Sequence, residues 1–181
     1  MSSLGGSLRS ASAASASTSS TLIDAQVRGA ATTSSPRLQG PVTFRDVSKP
    51  AAGLLDTSVF IANESGRPLG ELPAQVAVSV VTLGELQLGV LSTTDPDIRA
   101  RRADTLALAR TADPIPISEA VMNAWARLVA DCRAAGVHRT VKLTDALIAA
   151  TAVEHGLAVV ARDADYVQIA RAHPALRVLN V

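Results

Sequence analysis

A short apolar run that ends on a carboxylate constrains the fold of this chain more than any other stretch. Residues 52–55 read Ala-Gly-Leu-Leu, and Asp56, Thr57 and Ser58 follow at once before apolar residues resume. This order is typical of a buried strand that delivers an acid at its carboxyl end and then opens a helix. Ligands of open α/β sheets bind outside the carboxyl ends of strands, which predicts that Asp56 faces a crevice. The alternative is that Asp56 only caps the helix.

Strand-like and helix-like segments alternate after residue 50, which indicates an α/β fold with a mostly parallel sheet. We predict strands at 52–55, 76–79, 157–161 and 177–181, and a short edge strand at 113–117 that contains two prolines. We predict helices at 80–91, 98–110, 119–135, 145–155 and 165–172, besides the one that Thr57 and Ser58 open. Thr144 is the predicted cap of the helix at 145–155.

Composition excludes several classes of protein. Aromatic residues make up only 2% of the chain, too few for the stacking surface of an OB-type or RRM-type nucleic-acid binder. The formal net charge is +1, so any nucleic-acid contact needs a local basic patch. Cys132 is the single cysteine, which excludes a disulfide framework and a cysteine-based zinc site. No apolar run is long enough to span a bilayer, and we predict a cytoplasmic protein without a membrane partner.

The first 49 residues differ from the rest of the chain. They are rich in Ser, Ala, Thr and Gly and show little hydrophobic periodicity, so we predict a disordered segment at 1–49 and a folded domain at 50–181. An organelle transit peptide would also be rich in Ser and Arg and poor in acids. A third interpretation is an over-extended start, with the natural chain beginning near Val47.

Carboxylates recur where a predicted strand ends or a predicted helix begins. These residues are Asp56, Glu85, Asp145 and Asp163, with Asp165 beside the last. Each alone has a structural explanation, such as the favourable position of Asp145 at a helix N-terminus. Together they would repel one another unless a cation neutralised them. Oxygen ligands without cysteine favour Mg²⁺ or Mn²⁺, and two such ions about 3.5–4 Å apart can drive phosphodiester hydrolysis.

Four motifs carry a family resemblance. They are LLDTSVFIA around Asp56, SVVTLGELQLGV around Glu85, KLTDALIAATAVEHG around Asp145 and VVARDADY around Asp163. In this order the set resembles the PIN-domain ribonucleases, specifically the VapC-type toxins of bacterial toxin–antitoxin pairs. The resemblance covers roughly residues 52–181. Two departures are mild: Ala161 stands where Thr is common, and Tyr166 stands where Phe is common.

The resemblance implies a three-layer α/β/α sandwich and metal-dependent cleavage of RNA, leaving a 5′-phosphate and a 3′-hydroxyl. The substrate would be a tRNA, an rRNA or an mRNA, and translation would stop. The implied catalytic and metal-binding residues are Asp56, Glu85, Asp145 and Asp163, with Asp165 as an auxiliary ligand and Thr57 or Ser58 assisting. The implied cofactor is Mg²⁺ or Mn²⁺.

The resemblance also implies a homodimer and a cognate VapB-type antitoxin that inserts a segment, often with an Arg, into the acidic site. Candidate contacts for RNA phosphates are Arg99, Arg102, Arg139 and Lys142, although basic residues on a helix more often form an ordinary solvated face.

Two other kinds of protein compete with this interpretation. A phosphatase of the haloacid dehalogenase type needs a second Asp two residues after the first, and that position is Ser58. A receiver domain needs paired acids ahead of its phosphoryl acceptor, and the sequence lacks them. The more serious alternative is a catalytically weak PIN scaffold that only binds RNA or an antitoxin.

Overall fold

The computed structural model of the chain describes residues 23–28, 50–162 and 164–181. Its sheet contains β1 (Ala52–Leu55), β2 (Gln75–Val78), β3 (Ala158–Ala161) and β4 (Arg177–Asn180), in the spatial order β2-β1-β3-β4. All three neighbouring pairs are parallel. The predicted parallel sheet is therefore confirmed, and the carboxyl ends of all four strands lie along the same edge.

Helices cover both faces of this sheet. They are α1 (residues 23–28), α2 (Thr57–Glu64), α3 (Val80–Leu91), α4 (Pro96–Arg110), α5 (Glu119–Ala134), α6 (Leu143–Glu154) and α7 (Asp165–Ala172). Within the described residues, no helix is long and apolar enough to cross a membrane.

Alternate residues of each strand enter two separate cores. Leu55 and Val160 belong to a core with α2 and α4, whereas Leu54 and Val159 belong to a core with α5, α6 and α7. This division follows from the two-residue period of a strand, which sends successive side chains to opposite faces. The structure is the predicted three-layer α/β/α sandwich, with the two central strands β1 and β3 buried on both faces.

β1 lies at the centre of the sheet and requires a glycine. A Cβ atom on Gly53 would collide with the side chain of Val160 on β3 and would stand 3.0 Å from Pro73. Because Gly53 has no side chain, Val160 and Pro73 can pack against this point of β1, and Asp56 follows directly at its carboxyl end.

Two predicted details are wrong. Instead of a strand at 113–117, the structure has one bridge between Ser79 and Ile115, because the prolines on both sides of Ile115 have no N–H to donate. Thr144 does not cap α6, which begins at Leu143, two residues before the predicted start, with Lys142 at the cap position and no side-chain capping bond. The Lys142 side chain instead approaches the carboxylate of Asp145.

Helix α1 lies in the segment predicted to be disordered, and that prediction does not hold for residues 23–28. Ile23 and Val27 are fully buried in the core that contains Phe60. The Gln26 amide also donates a hydrogen bond to the carbonyl of Pro73 at 2.8 Å. Two branched apolar residues four positions apart share one helix face, and this pattern was the available signal. The rest of the predicted disordered segment lies outside the described residues.

Replacing Val27 by Asp tests whether α1 belongs to the folded domain. A carboxylate cannot remain in this apolar core, so the free energy of unfolding should fall by about 1–3 kcal/mol, the value of burying the side chain. Ala25→Asp is the matched control, because Ala25 lies on the exposed face of α1. Urea unfolding measures both variants. Equal stability of the two variants would show that α1 does not pack as described.

Candidate active site

Asp56 caps α2, which is one of the two roles considered for it from the sequence. Its Oδ2 atom caps α2 by accepting a hydrogen bond from the Ser58 N–H at 2.9 Å. Its own N–H donates to the Val160 carbonyl at 2.9 Å, which continues the pairing of β1 with β3. The residue is only 6% exposed. The end of β1 therefore holds a nearly buried carboxylate in a fixed position.

Glu85 reaches the same edge from α3. The Thr57 hydroxyl donates a hydrogen bond to Glu85 Oε2 at 2.5 Å, which joins the first turn of α2 to the middle of α3. The Thr82 hydroxyl, one turn earlier, donates to the Leu55 carbonyl at 3.3 Å and holds α3 against β1. Half-buried Glu85 is thereby held beside the residue that follows Asp56.

Asp145 lies in the first turn of α6 and is 8% exposed. Burial is the largest cause that raises its pKa, from 3.8 to about 6, while the Lys142 ammonium acts in the opposite direction. The negative charges of Asp56, Glu85 and Asp165 raise the pKa further. The four carboxylates of Asp56, Glu85, Asp145 and Asp165 therefore share one electrostatic environment, which we call the acidic cluster.

Lys142 provides a positive charge beside this cluster. Its Nζ atom lies 3.7 Å from Asp145 Oδ2 and 3.3 Å from Asp165 Oδ2. The Lys142 side chain is largely exposed, whereas the Asp145 side chain is almost fully buried. An exposed ammonium neutralises buried carboxylates only in part, which is consistent with the raised pKa of Asp145.

Tyr166 was not predicted as a site residue. Its hydroxyl donates a hydrogen bond to Asp56 Oδ1 at 2.8 Å, and the residue is 1% exposed. Burial and the neighbouring charge of Asp56 raise the pKa of Tyr166 above its usual range, so the phenol remains a donor. The only signal in the sequence was a hydroxyl-bearing aromatic residue directly after the acids at 163 and 165.

Ser58 joins α2 to the end of β3. Its hydroxyl oxygen accepts a hydrogen bond from the Arg162 N–H at 3.1 Å. Ser58 therefore lies between Asp56, to which its N–H donates, and the end of β3. Asp163, the fourth predicted ligand, lies outside the described residues.

The four predicted RNA-contact residues fall into two groups. Arg99 donates to the Thr93 carbonyl at 2.7 Å and Arg102 donates to the Gly89 carbonyl at 2.6 Å, so both help to hold α4 near the end of α3. Arg139 is exposed in the turn before α6, close in sequence to Lys142. Of the four, Lys142 lies against Asp145 and Asp165 of the acidic cluster.

The donor set of the acidic cluster fits a hard divalent cation. Its ligand atoms are carboxylate and hydroxyl oxygens, which Mg²⁺ and Mn²⁺ prefer. Crowded negative charge on a nearly buried acid is also what a bound cation would relieve. Among the described residues, no three His, Cys, Asp or Glu side chains are close enough to hold an ion together. Water would have to complete the coordination of an ion held here, as is usual for Mg²⁺.

Together, the parallel sandwich and the acids along its carboxyl edge define the class of protein. The family model for the PIN domain matches residues 53–172. The chain therefore belongs to the PIN domain family, as the four motifs predicted.

Among curated relatives, the chain is similar to Ribonuclease VapC8 of Mycobacterium tuberculosis, with 74% identity over 100 residues. This match covers 55% of the present chain and 89% of that protein. The chain is 45% identical to Ribonuclease VapC5 of the same species over 119 residues, which are 65% of this chain and 87% of the relative.

Solved structures agree with the fold. A crystal structure of VapBC-5, a member of the VapBC family of toxin–antitoxin systems from Mycobacterium tuberculosis, matches with a TM-score of 0.64 and 38% identity. The match covers 73% of this chain and 100% of that one. FitAcB from Neisseria gonorrhoeae matches with a TM-score of 0.54 and 26% identity, over 70% of this chain and 96% of that one.

The raised pKa of Asp145 predicts how stability depends on pH. Folded Asp145 binds its proton more tightly than unfolded Asp145, so its relative contribution to stability is greatest below about pH 4 and is lost as the pH rises through about 6. The Asp145→Asn variant has no carboxyl group to deprotonate at this position, so it does not lose this stability as the pH rises. In metal-free buffer at neutral pH the variant should be more stable than the parent by up to about 3 kcal/mol, and the difference should vanish in acid.

Urea unfolding across this pH range measures the difference, and Asp104→Asn is the control because Asp104 is exposed on α4. An Asp145→Asn variant that was less stable than the parent at neutral pH would mean that the carboxylate gains more from the N-terminus of α6 than it loses through burial and the neighbouring acids.

Proposed function

We propose that this chain is a metal-dependent endoribonuclease toxin that hydrolyses RNA phosphodiesters and leaves a 5′-phosphate and a 3′-hydroxyl. The observation that carries the proposal is the convergence of carboxylates from β1, α3, α6 and α7 on one edge of the sheet. The similarity to Ribonuclease VapC8 supports RNA as the substrate. Cleavage of RNA by such an enzyme would inhibit translation.

Asp56, Glu85 and Asp145 are the residues that would hold Mg²⁺ or Mn²⁺, with Asp163 and Asp165 as further ligands. A bound divalent cation lowers the pKa of its water and stabilises the leaving oxygen of a phosphodiester. The chain itself supplies the rigid placement of the acids. Thr57 holds Glu85 through its hydroxyl, and the Ser58 N–H holds Asp56.

In this proposal the Lys142 ammonium pairs first with the acids Asp145 and Asp165 and then, once a metal is bound, with an RNA phosphate. Without a metal its ammonium partly neutralises Asp145 and Asp165. A divalent cation at the acids would repel the ammonium, because like charges in partly buried sites interact strongly. The displaced Lys142 ammonium, together with Arg139 on the same turn, would then contact an RNA phosphate. Arg99 and Arg102 would contact RNA farther from the reacting phosphodiester.

Regulation by an antitoxin follows from the same charges. The similar VapBC-5 protein is a member of the VapBC family of toxin–antitoxin systems. We propose that a cognate VapB-type antitoxin neutralises the present chain, with a cationic side chain paired to the acidic cluster in place of the metal. Homodimer formation, which the family resemblance implies, stays a prediction.

A cleavage assay on total bacterial RNA tests the function. The full chain should cut at discrete sites with Mg²⁺ or Mn²⁺ and should not cut in EDTA. Sequencing of the new 5′ ends would identify the target and the 5′-phosphate. Asp56→Ala and Asp145→Asn should each reduce the rate by at least about a hundredfold, because each removes a charge from the metal site.

Asp104→Asn is the matched control and should cleave like the parent, since its carboxylate is exposed on α4. A folded parent that binds RNA but makes no metal-dependent cuts would contradict the enzymatic proposal. That result would favour the alternative of a catalytically weak binding module.

A further inference from the structure

Each of the two oxygens of the Asp56 carboxylate accepts one hydrogen bond. The Ser58 N–H donates to Oδ2 at 2.9 Å, and the Tyr166 hydroxyl donates to Oδ1 at 2.8 Å. The first bond is local, because Ser58 follows two residues later in the first turn of α2. The second joins the end of β1 to α7 across 110 residues of sequence. With one donor on each oxygen, the carboxylate plane cannot rotate freely.

The hydroxyl of Tyr166 is not needed to fill space. The ring packs in the apolar core with Leu54, Leu128 and Ile169, where a phenylalanine ring would occupy nearly the same volume. What the hydroxyl adds is one donor directed at a carboxylate that is itself nearly buried. The hydrogen bond therefore acts on the orientation and the charge of the Asp56 carboxylate, and contributes little to the packing of α7.

We propose that Tyr166 is a positioning residue for the metal site. Its hydroxyl fixes the orientation of Asp56, so that the remaining oxygen lone pairs are available to a divalent cation at the acidic cluster. Hydrogen bonds of this kind orient ligating side chains, and their removal typically lowers metal affinity by about 10–100-fold. The inference rests on the proposed metal-dependent function.

The competing explanation is that Tyr166 only satisfies a buried carboxylate and stabilises the fold. Removing the hydroxyl would then lower the free energy of unfolding without changing the affinity of the folded protein for a cation. Either explanation allows Tyr166→Phe to lose stability, but only the positioning role predicts a loss of metal affinity. The test therefore measures metal affinity and stability separately.

The experiment compares Tyr166→Phe with the parent in the full chain. Thr151→Val is the matched control, because Thr151 is also fully buried and its hydroxyl bonds to the Leu147 carbonyl within α6, away from Asp56. Calorimetric titration with Mn²⁺ at neutral pH gives the affinity, and thermal unfolding in EDTA gives the stability. Tyr166→Phe should bind Mn²⁺ at least about tenfold more weakly, and Thr151→Val should bind it like the parent.

Equal Mn²⁺ affinity of Tyr166→Phe and the parent would overturn the inference and leave the proposed function intact. A Tyr166→Phe chain that failed to fold would also overturn it, by showing that the hydroxyl serves the fold. A parent that bound no Mn²⁺ would overturn the proposed metal-dependent function together with the inference. Weaker Mn²⁺ binding by Tyr166→Phe, with unchanged binding by Thr151→Val, would support the inference that Tyr166 positions Asp56 for the metal.

Discussion

Crowding of like charges at the carboxyl edge of the sheet is the constraint on which the other features of the site depend. Because β1 and β3 are parallel neighbours, the residues that follow them emerge side by side. Asp56 emerges from β1, and α3, α6 and α7 bring Glu85, Asp145 and Asp165 to the same edge. Burial is the largest cause of the raised pKa of Asp145, and the negative charges of Asp56, Glu85 and Asp165 raise it further. Such an arrangement costs stability unless a cation is bound.

Neutral donors from different layers hold the acids in place. Thr57 joins α2 to Glu85 on α3, and Tyr166 joins α7 to Asp56. The Ser58 N–H also donates to Asp56, within the first turn of α2. These bonds leave the negative charge of the acids unchanged. Lys142 is the cation that contacts Asp145 and Asp165 among the described residues, and its exposed side chain makes it a weak and replaceable counter-charge.

Patterns local in sequence predicted most of this architecture. The apolar runs before Asp56 and after Gly156 identified β1 and β3, and their parallel pairing places the residues that follow both strands on one edge of the sheet. Helix α3 was predicted at its observed bounds, because apolar residues recur along it at helical spacing. The acids themselves could be identified from sequence because each lies at a strand end or on an apolar helix stripe.

The structural features that the sequence did not predict depend on contacts between residues distant in sequence, or gave only a weak local signal. The hydrogen bond of Tyr166 to Asp56 spans 110 residues, and no periodicity reports it. The pairing of Lys142 with Asp165 was not predicted, because it becomes visible only when α6 and α7 are packed together. Helix α1 is short and is surrounded by Ser-rich sequence, so its two buried side chains gave little periodicity. The prolines beside Ile115 limited the predicted edge strand to a single bridge.

A crystal structure of the chain with Mn²⁺ would decide whether the acidic cluster is a metal site, because the anomalous signal of manganese locates the ion independently of the protein atoms. We expect a strong anomalous peak that locates a manganese ion bound to Asp56 and Asp145, with the Lys142 ammonium moved away from Asp145. A peak elsewhere, or no peak at the acidic cluster under saturating Mn²⁺ with Lys142 still paired to Asp145, would refute the metal site.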